Sequence, residues 1–138
     1  MVLLEKAYAK LHGSYLALRS GMCRDALTDL TGAPSLYAKC KAADGAPGVT
    51  FEMLQRYDRN NCLICCSTPG EDNLTETGAE RPSGGLVPGH AYTLISARRL
   101  ECGVELLKIR NPWGTFEWEG AWSDHSKEMT DAVRSLAS

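Results

Sequence analysis

The stretch that decides the fold runs Pro88-Gly89-His90-Ala91-Tyr92-Thr93-Leu94-Ile95-Ser96-Ala97, then Arg98-Arg99-Leu100-Glu101-Cys102-Gly103, then Val104-Glu105-Leu106-Leu107-Lys108-Ile109-Arg110-Asn111-Pro112. Two runs rich in β-branched and apolar residues, Ala91 to Ala97 and Val104 to Arg110, flank a polar connection containing Gly103. This pattern predicts an antiparallel hairpin. Upstream, Asn61 to Ser67 reads as a further strand. Helical patterning surrounds these strands. Leu4, Ala7, Tyr8, Leu11, Tyr15 and Leu18 recur at three- and four-residue spacing, which predicts an opening helix of about five turns. A short helix from Arg24 to Leu30 follows, stopped by Thr31-Gly32-Ala33-Pro34. A third helix is entered through Thr50 as N-cap and ends near Asn60-Asn61. Met129, Ala132, Val133 and Leu136 place a last helix in the tail from Lys127. The expected class is α+β, with helices packed against a small antiparallel sheet.

The 138 residues are expected to form one domain, 1–138. With 15 basic and 17 acidic side chains the formal charge is −2, too small to gather nucleic acid or anionic lipid. No apolar run approaches the roughly 20 residues of a membrane-spanning helix. The start, Met1 to Lys6, has none of the features of a secretory signal. These observations point to the reducing cytosol, where the six cysteines stay as thiols. Cys62 and Cys65 have one C-x-x-C spacing, but no second Cys or His pair matches it, so buried structural cysteines are expected rather than zinc or redox chemistry. Ser67 to Pro88 carries four Gly and three Pro, with Leu74, Leu86 and Val87 as its only large apolar residues. It is expected to be a mobile surface loop.

A hairpin returns the chain to the edge it left, so it brings His90, just before one strand, close to Asn111, just after the next. An imidazole oriented by a carboxamide is the base and orienter of thiol catalysis, and Trp113 is spaced to cover their hydrogen bond. The same residues also read as an ordinary half-buried histidine, a routine Asn-Pro turn and core tryptophans.

Longer words break this tie. Gly89-His90-Ala91-Tyr92, then Arg110-Asn111-Pro112-Trp113-Gly114, Glu117-Trp118 and Trp122-Ser123-Asp124, resemble the calpain family of cytosolic, calcium-dependent cysteine proteases. Leu3 to Lys10 and Leu27 to Gly32 resemble the same family in the same order. The resemblance implies the His/Asn half of a papain-like protease core. In it His90 is the catalytic histidine, Asn111 its orienting partner and Trp113 the indole beside them. Glu117 and Asp124 correspond to acidic ligands of a calcium site, incomplete here because the tail Lys127 to Ser138 departs from the family pattern and calcium takes six to eight oxygens. Ser67 to Pro88 corresponds to a loop lining the substrate cleft.

The family nucleophile is a Cys followed by Trp, and no cysteine here is followed by Trp. The expectation is therefore a part of an endopeptidase acting on polypeptides, inactive alone, whose partner is the missing Cys-bearing half. The matched residues begin directly after Met1 and Val2, which points to an excised piece of a longer protein. The alternative is a non-catalytic calpain-like module for binding or scaffolding.

Overall fold

In the computed structural model, residues 2–41, 47–70 and 83–136 are described. Contacts divide the chain into two compact units, Met1–Tyr37 and Ala38–Ser138, where length alone predicts a single domain. The first unit holds α1 (Val2–Leu11), a single 3-10 turn at Leu16–Leu18 and α2 (Cys23–Thr31). The opening helix is therefore much shorter than its apolar spacing predicts. His12 N–H still reaches Tyr8 O at 3.0 Å, but Gly13 takes a left-handed φ of 93° and its N–H turns to Lys10 O at 3.3 Å. Glycine enters that region without the Cβ penalty other residues meet. Ser14 Oγ then accepts the Ala17 N–H at 3.2 Å and starts the separate turn. Asp29 of α2 ties back to α1, accepting from the Tyr8 hydroxyl at 2.8 Å and pairing with His12 Nε2 at 3.2 Å. The hydrogen bond to Asp29, more than any other cause, holds the Tyr8 phenol above its usual pKa. Ala9 is the buried apolar residue of α1, while Leu3, Leu4 and Leu11 are exposed.

The second unit starts its regular structure at α3 (Phe51–Arg59), where Thr50 Oγ1 accepts the Met53 N–H at 3.3 Å as the N-cap expects. Asn61, at φ 54°, turns the chain into β1 (Ile64–Ser67). The strand is shorter than the run from Asn61, so Cys62 is exposed ahead of it. Cys65 and Cys66 are half-buried rather than core, and all six cysteines are outside disulfides. β2 (Ala91–Arg99) and β3 (Glu105–Arg110) form the predicted hairpin. Its turn is closed by Leu100 N–H to Val104 O at 2.8 Å and Gly103 N–H to Leu100 O at 2.9 Å. The sheet order is β1-β2-β3, antiparallel throughout. Ile64, Leu94 and Ile109 share one row across it, and the β2–β3 register shifts between Leu94 and Ser96.

Beyond the reach of β1, α3 docks on β2. Asp58 Oδ2 accepts the Ala97 backbone N–H at 3.1 Å and Arg98 Nη1 at 3.2 Å, so this strand N–H finds its acceptor on the helix. Arg99 bridges Glu52 of α3, at 2.9 Å, and Glu105 of β3. Hydrogen bonds from its own backbone N–H, then from Arg99 and Thr50, hold the Glu52 carboxyl below the usual carboxylate range. The core of the described residues of this unit gathers on β2 and its approaches: Val87, Tyr92, Leu94, Ala97 and Leu100, with His90 and Ser96 as the buried polar residues. A final short helix, α4 (Asp131–Leu136), starts later than Lys127, because the tail first makes turns at Ser126 and Met129. The centre of the expected mobile loop, 71–82, lies outside the described residues. Its arms are tied to the sheet. Among the described residues no helix is long and apolar enough to cross a membrane. The fold is α+β.

Candidate active site

His90 enters β2 directly after Gly89, whose N–H donates to Pro69 O at 3.2 Å. The His90 backbone is held from both sides by Thr68: its N–H donates to Thr68 Oγ1 at 3.0 Å, and its carbonyl accepts the Thr68 N–H at 3.0 Å. Asn111 follows the last residue of β3, and because Thr93 pairs with Arg110, the hairpin returns Asn111 beside the start of β2. The two side chains meet. His90 Nε2 and Asn111 Oδ1 are 2.8 Å apart across 21 residues of sequence.

The orientation of the Asn111 amide follows from its four bonds. Nδ2 donates to Thr115 O at 2.6 Å and to Phe116 O at 3.1 Å, so Oδ1 is the atom that accepts from Trp113 N–H at 3.0 Å and from the imidazole. An amide oxygen only accepts. His90 therefore carries its proton on Nε2, and the Nδ1 lone pair is the basic one in the neutral ring. Presenting the Phe116 carbonyl to Nδ2 goes with a left-handed φ of 61° at Phe116, uncommon for an aromatic residue.

Two aromatic rings confine the imidazole. The Trp113 indole lies 3.9 Å away centroid to centroid, tilted by 50°, and the Tyr92 ring stands edge-on at 4.8 Å and 89°. His90 is only 7% exposed, while Trp113 is 37% exposed, so the indole forms the solvent side of the pair. Competition by water for the His90–Asn111 bond is reduced accordingly. The arrangement can take a proton at Nδ1 and return it while Asn111 holds the ring in one tautomer.

The structure brings together His90, Asn111 and Trp113 of the sequence-predicted site residues. It leaves Glu117 and Asp124 apart from them. Those two acids line one open depression with Phe116, Trp118 and Ser123. Among the described residues no group of three or more His, Cys, Asp or Glu side chains could hold a metal. Glu119 lines the depression too, yet these carboxylates are not grouped around one point and fall well short of a calcium shell of six to eight oxygens, so the residues present do not by themselves fit the ion. The main chain beneath the depression is tightly packed: a Cβ on Gly85, at φ +81°, would lie 1.6 Å from Glu117 O. Sequence reasoning passed over Thr68 and Tyr92. Tyr92 was findable, since it lies two residues from His90 and so shares its strand face. Thr68 carried no local signal.

Residues 1–136 match the family model described as calpain family cysteine protease. The chain is 39% identical over 137 residues to a calpain-type cysteine protease of Arabidopsis thaliana, a match covering 96% of this chain and 6% of that protein. It is 42% identical over 134 residues to calpain-A of Drosophila melanogaster, covering 91% of this chain and 16% of that one. To calpain-14 of Homo sapiens it is 42% identical over 129 residues, covering 91% and 17%. The chain thus spans less than a fifth of the length of each of these curated relatives.

Proposed function

This chain belongs to the calpain family of cysteine proteases, and from that premise we propose that it supplies the histidine and asparagine of a peptidase site whose thiol nucleophile lies on polypeptide outside these 138 residues. The observation that carries the reading is the 2.8 Å His90 Nε2–Asn111 Oδ1 bond, in an amide whose other three bonds fix which atom faces the ring. His90 Nδ1 takes the proton of the thiol, and the thiolate sulfur bonds to the scissile carbonyl carbon. The C–N bond then breaks as the imidazolium returns its proton to the leaving amine, giving a thioester. Water, deprotonated by the same Nδ1, attacks the thioester and releases the acid and the thiol. Asn111 holds the tautomer throughout, and Trp113 shields the bond. The substrates are polypeptides, as the family chemistry implies. The six cysteines, none in a disulfide, support a reducing compartment such as the cytosol. Glu117 and Asp124 are assigned a share of a calcium shell whose remaining oxygens come from elsewhere.

Mixing tests this. The 138-residue chain alone should not cleave casein or a fluorogenic peptide. With the Cys-Trp-bearing remainder of a calpain protease core added it should cleave both, and His90→Ala should lower that rate by roughly a thousandfold or more. Cleavage by the chain alone, abolished by His90→Ala, would place the nucleophile inside it and overturn the reading. A folded, associated mixture with no cleavage would favour a binding or scaffolding module.

A further inference from the structure

The segment Ser67 to Pro88 leaves the sheet at the end of β1 and returns just ahead of His90. At the point of departure one hydroxyl joins both arms to the histidine. Thr68 Oγ1 accepts the His90 N–H at 3.0 Å and donates to Val87 O at 2.6 Å, with His90 O a longer second acceptor at 3.3 Å. Val87 N–H in turn donates to the Tyr92 hydroxyl at 2.8 Å, and the Tyr92 ring meets the imidazole edge-on. The circuit therefore closes on itself: Thr68 to Val87, Val87 to Tyr92, Tyr92 to His90, His90 back to Thr68. It is buried. Val87 is 0% exposed, Tyr92 5% and His90 7%.

We infer that Thr68, acting through Val87 and Tyr92, is a positioning residue for His90 that couples docking of the loop's return arm to the orientation of the imidazole. This rests on the reading of His90 as the proton-transferring group. With its backbone held at both N–H and C=O, His90 keeps only its side-chain torsions. Of these, the Tyr92 edge limits one direction and Asn111 fixes the other. Removing the Thr68 hydroxyl leaves the buried His90 N–H and Val87 carbonyl without this partner, so the arm and the phenol it anchors loosen together. A shift of the return arm withdraws Val87 from the Thr68 hydroxyl and from the Tyr92 hydroxyl together, the two side chains that brace the histidine.

The test uses the 138-residue chain labelled with nitrogen-15 histidine and follows the His90 Nε2–H proton and tautomer by NMR. Thr68→Val, which removes the hydroxyl at nearly constant volume, should speed exchange of that proton with water about fivefold to tenfold and populate the Nδ1–H tautomer. Thr68→Ser, which keeps the hydroxyl, should match the parent. A folded Thr68→Val chain with unchanged exchange and tautomer overturns the inference, as does Thr68→Ser behaving like Thr68→Val. Should Thr68→Val fail to fold, Tyr92→Phe removes only the phenol oxygen. It should speed exchange by a few fold, and no change there overturns the inference equally. No thiol takes part in this readout. A failed mixing experiment beside a Thr68→Val effect thus sinks the peptidase reading alone, and cleavage beside an unchanged Thr68→Val signal sinks the positioning role alone.

Discussion

Asn111 shows how much one side chain can settle. It saturates both amide hydrogens and both oxygen lone pairs, joining two loop carbonyls, the Trp113 N–H and the imidazole. Its truncation strands the part-buried imidazole N–H and Phe116 carbonyl, and a stranded buried donor or acceptor costs more than the net gain of the bond it made, whereas water reaches the exposed Thr115 and Trp113 partners. Asn111→Ala is expected to lower stability to urea by about 2–3 kcal/mol, a large loss for a half-buried residue at a strand end. A loss within ~0.5 kcal/mol of the parent would mean that water replaces the amide at no cost, and that the network is looser than its distances imply. His90 and Asn111 were legible as a pair because a hairpin's geometry is short-range. Which ring nitrogen carries the proton was not legible, since it depends on where Asn111 Nδ2 finds its acceptors.

At the scale of elements, the junction of α3 with β2 depends on one strand N–H. β1 pairs with β2 only as far as Leu94, so Ala97 lies beyond its reach, and Ala97 is 0% exposed, so its N–H has no access to water. Asp58 on α3 receives it. Asp58→Ala should therefore cost about 2–3 kcal/mol in denaturant unfolding, whereas Asp58→Asn, which keeps an acceptor there, should cost about 1 kcal/mol. Equal losses for the two variants would show that the charge pairing with Arg98, and not the strand N–H, is what Asp58 contributes; Arg98 is half-exposed, where such pairs contribute little. The helix itself was readable from Thr50 and its apolar spacing. Its partner was not, because where β1 stops along β2, and so which N–H is left for Asp58, depends on how the strands pair in three dimensions.

For the whole chain, the two compact units carry different duties: Met1–Tyr37 holds the helical pair joined through Asp29, and Ala38–Ser138 holds the sheet and the candidate site. Calcium affinity is a property at this scale, since a shell of six to eight oxygens draws on several segments. Glu117 and Asp124 share a depression with Glu119 and His125, but among the described residues no three acidic, histidine or cysteine side chains are grouped so as to hold a metal. Isothermal titration of the 138-residue chain should accordingly give no calcium site tighter than roughly 0.1 mM. A micromolar site that disappears in Glu117→Gln would show a complete shell built by this chain alone.

The sequence by itself determined the α+β class, the hairpin, the N-cap of α3, the family and the pairing of His90 with Asn111. All of these follow from side-chain periodicity, turn chemistry and motif words that act over a few residues or across one tight reversal. It misjudged the opening helix, where apolar spacing continued past Gly13 but the backbone did not: Ser14 offered the next turn a local hydrogen bond, and nothing on α1 required the longer stripe to be buried. Tertiary structure alone decided that Thr68 holds His90, that Asp58 receives the Ala97 N–H and that the Glu117 main chain packs against Gly85. Each of these joins groups far apart in the chain, and a buried polar atom takes whichever partner the packing brings within reach, which no spacing along the chain encodes.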